Sequence, residues 1–173
     1  TDDGTVVAID VLDGASMSQA TVGDPVEDLS VSGEVLYALT EGTVHILPLT
    51  PEALAVSGAV PSPGSIGAGQ RNLRLFAGET VLYATHTEGY NTFEITVPLQ
   101  PRMIAQGNTQ QFGWKQIVDN GAGLGIAAVS PNSTDDGPHH VSLYDVRDPA
   151  PTNLFLTEFQ TPGLAAAVTL YNG

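Results

Sequence analysis

Cysteine is absent from this 173-residue chain. Without thiols, the chain forms no disulfide, thiolate nucleophile, iron–sulfur cluster or cysteine-ligated zinc site. Basic residues are scarce as well, since five Lys and Arg oppose 19 Asp and Glu and leave a formal net charge of −14. A charge of this sign repels phosphate backbones and anionic lipid surfaces. The composition therefore argues against nucleic-acid binding and against a membrane-surface role.

Long apolar runs are also missing. No stretch approaches the roughly 20 residues that cross a bilayer, and no basic-then-apolar start resembles a signal peptide. We therefore expect no membrane insertion in this segment. Hydrophobic residues still make up 42% of the chain, which is enough for a core. High acidity suits salt-rich surroundings and favours an extracellular or cell-surface location, with the periplasm or an acidic cytosolic protein as alternatives.

Two landmarks recur along the chain with a period of about 45 residues. The first is an acidic turn followed by a strand-like run, and its copies are Thr1-Asp2-Asp3-Gly4, Thr40-Glu41-Gly42, Thr87-Glu88-Gly89 and Thr134-Asp135-Asp136-Gly137. The second is an apolar run closed by a turn, with its glycine at Gly33, Gly78, Gly121 and Gly173. Both landmarks keep their order, so the chain is a repeat protein.

Short runs rich in β-branched and aromatic residues fill each period. In the second unit they are VEDLSVSG, EVLYALT, TVHILPL and ALAVSGAV, and such runs are typical of half-buried strands. Four-stranded units of about 45 residues have the size of propeller blades. The sequence thus predicts an all-β fold, a β-propeller of four-stranded antiparallel blades with about four blades present. Their predicted limits are 1–33 (a partial blade), 34–78, 79–121 and 122–173 (a complete or an incomplete blade).

The phase of the repeat predicts an incomplete propeller. Thr1 corresponds to Thr134, which lies between the second and third strands of its unit, and Gly173 lies where another strand should begin. One interpretation is a small four-bladed propeller with an imperfect closing blade. The other, which we favour, is part of a larger ring, because uncovered blade edges are a liability. Further blades of the same protein are then among the expected partners.

The last unit contains the stretch VSLYDVRDPAPTNLFLTEFQTPG at 141–163. Through its Asp145-Val146, Asp148-Pro149, Pro151 and Thr161-Pro162-Gly163, this stretch resembles the LVIVD-repeat propellers of bacterial and archaeal surface proteins. The other units match more loosely. The resemblance implies a propeller fold and surface location, and it implies no shared catalytic residues.

The two Asp-Asp-Gly turns are candidate cation sites. Asp2 and Asp3, like Asp135 and Asp136, pair carboxylates that can offer oxygens to Ca²⁺. Neither turn supplies the alternating ligands of a full binding loop. The alternative is a hairpin turn in which the Asp side chains accept hydrogen bonds from local backbone amides.

Aromatic and imidazole side chains mark a candidate ligand or partner surface. Trp114, the single tryptophan, and Phe112 could stack against a sugar, or could pack against the next blade. His139 and His140 are adjacent, so on a strand they point to opposite faces and one of them could bind a ligand.

These patterns predict a non-enzymatic binding or structural module of a secreted or surface protein, which contacts protein or carbohydrate through its blade loops. The alternative is a fragment of a propeller hydrolase, lyase or oxidoreductase with its active site in the central channel. That alternative requires polar residues at equivalent inner-strand positions, and the five basic residues do not recur in register.

Overall fold

A computed structural model describes residues 3–50, 53–64, 73–86, 89–107, 114–119, 124–129, 139–145, 147, 154–165 and 167–169. Within these ranges the chain is built of strands and turns and contains no helix, so none is present there that could cross a membrane. The described residues form fourteen strands: β1 (Thr5–Ile9), β2 (Ser16–Thr21), β3 (Asp28–Ser32), β4 (Val35–Thr40), β5 (Thr43–Pro48), β6 (Gly58–Pro61), β7 (Arg74–Ala77), β8 (Val81–His86), β9 (Gly89–Glu94), β10 (Arg102–Gly107), β11 (Trp114–Asp119), β12 (Leu124–Val129), β13 (His139–Asp145) and β14 (Leu154–Thr161).

The strands form four sheets, each made of strands that are consecutive in the sequence. A two-stranded sheet, β1–β2, is followed by the four-stranded sheets β3–β6, β7–β10 and β11–β14, and every pairing is antiparallel. The predicted all-β antiparallel fold is thereby confirmed. The predicted limits after Gly33 and Gly78 fall in the turns between the first and second strands of a sheet, so the sheets are offset from those limits by one strand.

The β4–β5 hairpin shows why the repeat folds in this way. All six residues of β4 are buried, as in a strand that is covered on both faces. Thr40 pairs with Thr43, which leaves the two-residue turn Glu41-Gly42, and Gly42 has φ of 79°. Two-residue hairpin turns favour such left-handed residues. The stretch ALAVSGAV is less regular than the sequence predicts, because only Gly58–Pro61 forms a strand there.

Apolar side chains join each sheet to its neighbours. Val6 and Ala20 of the β1–β2 sheet pack on the β3–β6 sheet at Leu36 and Leu47. The other face of the β3–β6 sheet packs on β7–β10 in the largest cluster, whose members include Tyr37, Leu39, Ile46, Leu82 and Phe93. A third cluster joins β7–β10 to β11–β14 through Tyr83, Tyr90, Ala127 and Tyr144. The core therefore lies between the sheets.

The first strands of neighbouring sheets lie side by side. Three side chains of β3 bond to the backbone of β7 and the turn after it: Asp28 Oδ2 accepts the Leu75 N–H at 2.9 Å, Ser30 Oγ accepts the Ala77 N–H at 2.9 Å, and the Ser32 hydroxyl donates to the Gly78 carbonyl at 2.7 Å. The residue numbers of the bonded partners increase together along the two strands, so β3 and β7 run in the same direction.

The direction of the strands defines two rims in each sheet. At the loop rim the first and third strands begin and the second and outer strands end, as Asp28, Thr40, Thr43 and Pro61 show in the β3–β6 sheet. The opposite rim carries the other strand ends. Because β3 and β7 run in the same direction, the loop rims of their two sheets face the same side of the molecule.

Candidate functional site

A buried histidine lies near the loop rim of the β3–β6 sheet. His45, in the third strand, is 9% exposed, and its Nε2 atom lies 3.2 Å from the Thr40 hydroxyl oxygen. Burial lowers the pKa of His45 below its ordinary value, and the carboxylate of Asp24, in the segment leaving the preceding sheet, acts in the opposite direction. The imidazole is therefore neutral at pH 7 and acts as a hydrogen-bonding group inside the rim.

Asn91 occupies the corresponding position in the next sheet. His45 pairs with Ala38 and Asn91 pairs with Ala84, at the same register within their hairpins. Asn91 is fully buried, and its Nδ2 donates to Ser62 Oγ at 3.0 Å and to the Pro63 carbonyl at 2.7 Å. These two partners follow β6, so Asn91 anchors the segment that leaves the preceding sheet.

Ser142 completes the series in the β11–β14 sheet. It pairs with Ala127 at the equivalent register and is 2% exposed. Three consecutive sheets thus carry a buried polar side chain at one position, in the third strand of each. Sequence reasoning missed this position because its three residue types differ. Aligning the units on their Thr-Asp-Asp-Gly and Thr-Glu-Gly turns does not reveal it either, because the position lies three, two and five residues after Gly42, Gly89 and Gly137.

The structure describes one of the four candidate calcium ligands. Asp3 is exposed in the turn before β1, and its Oδ1 accepts the Thr5 N–H at 3.0 Å. This is the local backbone bond of the alternative interpretation. Asp2, Asp135 and Asp136 lie outside the described residues. Within the described part of the chain, no three His, Asp or Glu side chains are grouped so as to bind a metal ion, and calcium binding stays a prediction.

Three of the four candidate surface residues meet at one end of one sheet. Trp114 pairs with Val129, Val129 pairs with His140, and His140 pairs with Gln160, so these residues form one row across the loop rim of the β11–β14 sheet, with His139 next to it. Phe112 lies outside the described residues. No local sequence pattern indicates this row, because Trp114 and His140 belong to strands that are separated by β12.

The two histidines of this rim have different neighbours. His139 lines a shallow pocket together with Gln160, Thr161 and Pro162. The Nε2 atom of His140 lies 3.7 Å from the Glu158 carboxylate on β14. The neighbours His139 and His140 point to opposite faces, as adjacent strand residues must, so the rim presents one imidazole on each side of the sheet.

Three arginine side chains in the described ranges are engaged by carboxylates. Arg74 lies 3.9 Å from Asp28, and Arg102 lies 2.7 Å from Glu94. Arg147 bonds to Asp145 through its side chain and backbone, which lowers the pKa of Asp145 to about 2. The remaining acidic side chains therefore give the surface a negative field, which favours neutral or cationic partners.

Comparison with known proteins defines the fold alone. No family model and no curated protein matches the chain. The crystal structure of a computationally designed protein, Ika8, matches with a TM-score of 0.57 and 11% identity over 99% of this chain and 48% of that one. A protein of unknown function from Desulfotomaculum acetoxidans matches with a TM-score of 0.62 and 12% identity over 95% of this chain and 53% of that one. The chain thus spans about half the length of each structure.

Proposed function

We propose that this chain is a segment of a β-propeller, related to the LVIVD-repeat propellers, and that it is a non-enzymatic binding and structural module of a secreted or cell-surface protein. Its ligands are proteins or carbohydrates, contacted at the loop rim. The observation that carries the proposal is the row of Trp114, Val129, His140 and Gln160 across one rim. It places an aromatic residue, an imidazole and an amide in one row across the end of one sheet.

The propeller architecture is supported by the repeated four-stranded meander. The first strands of the β3–β6 and β7–β10 sheets lie side by side, as the bonds from Asp28 and Ser30 to β7 illustrate. Blades arranged around an axis have this relation. The match of the last unit to the LVIVD repeat and the acidic composition support a surface location.

Hydrogen bonds hold two segments of the loop rim in place, and this supports binding through loops. Asn91 fixes the segment after β6 with two hydrogen bonds, and Asp3 fixes the turn before β1. Loops mounted on a rigid scaffold are well suited to recognition because little conformational entropy is lost on binding. Aromatic and amide groups in one row favour sugars or polar peptide surfaces.

Binding to arrayed polysaccharides and extracellular proteins tests the proposal. We expect measurable affinity for at least one ligand class, and about a tenfold weaker affinity in Trp114→Ala and in His140→Ala, which corresponds to about 1.4 kcal/mol. Arg102→Ala is the matched control, because Arg102 is exposed at the opposite rim. An affinity lost equally in the control, or no ligand across both arrays, would contradict the proposal.

A further inference from the structure

Two Asp-Gly pairs of this chain share one local backbone geometry. In Asp3-Gly4 and in Asp13-Gly14, the aspartate Oδ1 accepts the N–H of the residue after the glycine, Thr5 at 3.0 Å and Ala15 at 2.8 Å. The two glycines have φ of 72° and 73°. Such turns fold the carboxyl group back along the peptide that follows it. In both pairs this brings the carboxyl carbon towards the backbone nitrogen of the glycine.

The first of these glycines is packed against another segment of the chain. Gly4 is buried, and a Cβ atom added there would lie 2.5 Å from the Asp24 carbonyl oxygen. The Gly4 carbonyl also accepts the Val22 N–H at 2.9 Å. A displacement of the Gly4 backbone therefore breaks contacts with the segment that leaves β2.

The second glycine meets only its own loop. Gly14 is exposed, and no atom beyond its chain neighbours lies within 4 Å of its Cβ position. Its N–H donates to the Asp10 carbonyl at 2.8 Å, within the connection between β1 and β2. The strand pairing ends outside this connection, at Ile9 and Ser16. A displacement of the Gly14 backbone therefore leaves the sheet intact.

Exposure is a general property of this kind of connection. The Val22 N–H bonds to the Gly4 carbonyl as the Ser62 N–H bonds to the Gly42 carbonyl, so the β1–β2 connection corresponds to the β5–β6 connection and to its counterpart between β9 and β10. Residues 55–57 and 96–100 of those two connections are exposed, although their sheets are packed on both faces. A neighbouring sheet on either face therefore leaves such a connection accessible to water.

We propose that Asp13 converts to isoaspartate through a cyclic imide in the folded protein, and that Asp3 is protected from the same reaction. The Gly14 nitrogen bonds to the Asp13 carboxyl carbon and gives up its proton, while the carboxyl group loses its hydroxyl, so that one water molecule leaves. Glycine favours this step because it has no side chain to obstruct the approach.

Water then opens the imide at one of its two carbonyl groups. Addition at the main-chain carbonyl breaks its bond to the Gly14 nitrogen and gives isoaspartate, in which the chain continues through the former side-chain carboxyl. Addition at the side-chain carbonyl restores aspartate. One water is released and one is consumed, so the mass of the chain does not change.

The cost of local opening separates the two sites. Asp3 reacts only after Gly4 has moved away from Asp24 and Val22, whereas the connection that carries Asp13 needs no such opening. Local openings of packed segments cost free energy, and exposed loops open at almost none. An opening that costs about 1.4 kcal/mol slows the reaction about tenfold. Isoaspartate should therefore accumulate at position 13 while the β1–β2 sheet stays folded.

Peptide mapping after prolonged incubation at neutral pH tests the proposal. Mass spectrometry with electron-transfer fragmentation measures isoaspartate at each position, and a parallel incubation in urea gives the rate in the unfolded chain. We expect folding to slow the reaction about tenfold or more at Asp3 and less than about threefold at Asp13. A chelator in all samples removes any contribution from a cation at Asp3. Mapping also separates these sites from Asn120-Gly121 and Asn172-Gly173, where deamidation changes the mass.

Two variants and a matched control identify the reacting groups. Asp13→Glu should abolish the product at position 13, because the longer side chain would have to close a six-membered ring. Gly14→Ala should slow the reaction, because a methyl group obstructs the nitrogen. Asp3→Glu is the control, since it makes the same change in the other pair and should leave the rate at Asp13 unaltered.

Three results would overturn the proposal. The first is the absence of isoaspartate at position 13 in the folded protein, the second is equal slowing of both sites by folding, and the third is a rate at Asp13 that Gly14→Ala leaves unchanged. Each of these results would leave the proposed function standing, because the β1–β2 connection lies at the rim opposite the loop rim.

Discussion

Single residues at the loop rim determine how closely neighbouring segments approach. Gly4 has φ of 72°, and a Cβ atom added there would lie 2.5 Å from the Asp24 carbonyl oxygen. Gly42 occupies the same turn of the next unit with φ of 79°, and nothing lies within 4 Å of its Cβ position. Glycine is therefore favoured at position 4 by both its positive φ and the nearby Asp24 backbone, and at position 42 by its positive φ alone.

Alanine substitutions at these two glycines separate the cost of the left-handed backbone from the cost of the close contact with Asp24. We expect Gly42→Ala to lower the free energy of unfolding by about 1–2 kcal/mol, the usual cost of a left-handed alanine. Gly4→Ala should cost about 1–3 kcal/mol more, because the backbone must move to relieve the clash. Urea denaturation monitored by circular dichroism measures both. Equal losses would show that Asp24 does not crowd Gly4.

His45 should make stability depend on pH. Its pKa is lowered in the folded state by burial, so the unfolded chain binds the proton more readily. The stabilisation is complete above the ordinary pKa of 6.5 and is lost as the pH falls through the folded value. We expect the urea concentration at the denaturation midpoint to decrease as the pH is lowered from about 7.5 to 5.5.

The variant His45→Asn isolates this effect, because asparagine is the residue at the equivalent position of the next sheet, Asn91. We expect its midpoint to vary less over the same pH interval, because the buried imidazole is gone while every other ionisable group is unchanged. A profile identical to that of the unaltered protein would assign the pH dependence to another group.

At the scale of elements, side-chain hydrogen bonds from β3 hold the backbone of β7 beside it. Ser30 accepts the Ala77 N–H at 2.9 Å, and its loss would leave that amide unsatisfied in a partly buried position. We expect Ser30→Ala to lower the free energy of unfolding by about 1–3 kcal/mol. Ser16→Ala, at an exposed position of β2, should change it by less than about 0.5 kcal/mol. Chemical denaturation measures the free energy of unfolding of both variants. A loss in Ser30→Ala as small as that in Ser16→Ala would mean that water replaces the Ser30 hydroxyl.

The ends of strands were predictable from the sequence where a glycine-containing turn separates them. The Glu41-Gly42 turn and its two flanking strands follow from a left-handed glycine between β-branched runs. The stretch ALAVSGAV was predicted as one strand, yet Leu54 forms an isolated bridge with Leu49 and only Gly58–Pro61 pairs as a strand. Leu54 is buried against the β1–β2 sheet, so a tertiary contact overrides the local preference there.

At the scale of the whole molecule, a net charge of −14 opposes compaction. Three arginines in the described ranges are engaged in ion pairs, so most carboxylates repel one another. We expect the thermal midpoint Tm to rise as NaCl increases from about 10 to 500 mM, because salt screens this repulsion. Differential scanning calorimetry measures the change. A Tm that falls or stays constant would show that the attractive pairs dominate.

The same melts test the predicted calcium site. If Asp2, Asp3, Asp135 and Asp136 bind Ca²⁺, millimolar CaCl₂ should raise Tm beyond MgCl₂ at equal ionic strength, and a chelator should reverse the gain. Asp3→Asn should reduce the difference. Equal midpoints in CaCl₂, MgCl₂ and chelator would show that these turns do not bind calcium.

The sequence by itself determined the strands, their antiparallel order and the repeat, because the period of two in side-chain direction and the acidic glycine turns are local properties. It also placed His139 and His140 on opposite faces of a strand. Only the tertiary structure decided which turns lie within a sheet, that His45, Asn91 and Ser142 share one position, and that Trp114 and His140 lie in one row. Those relations depend on strand register and on contacts between sheets, which join residues far apart in the chain.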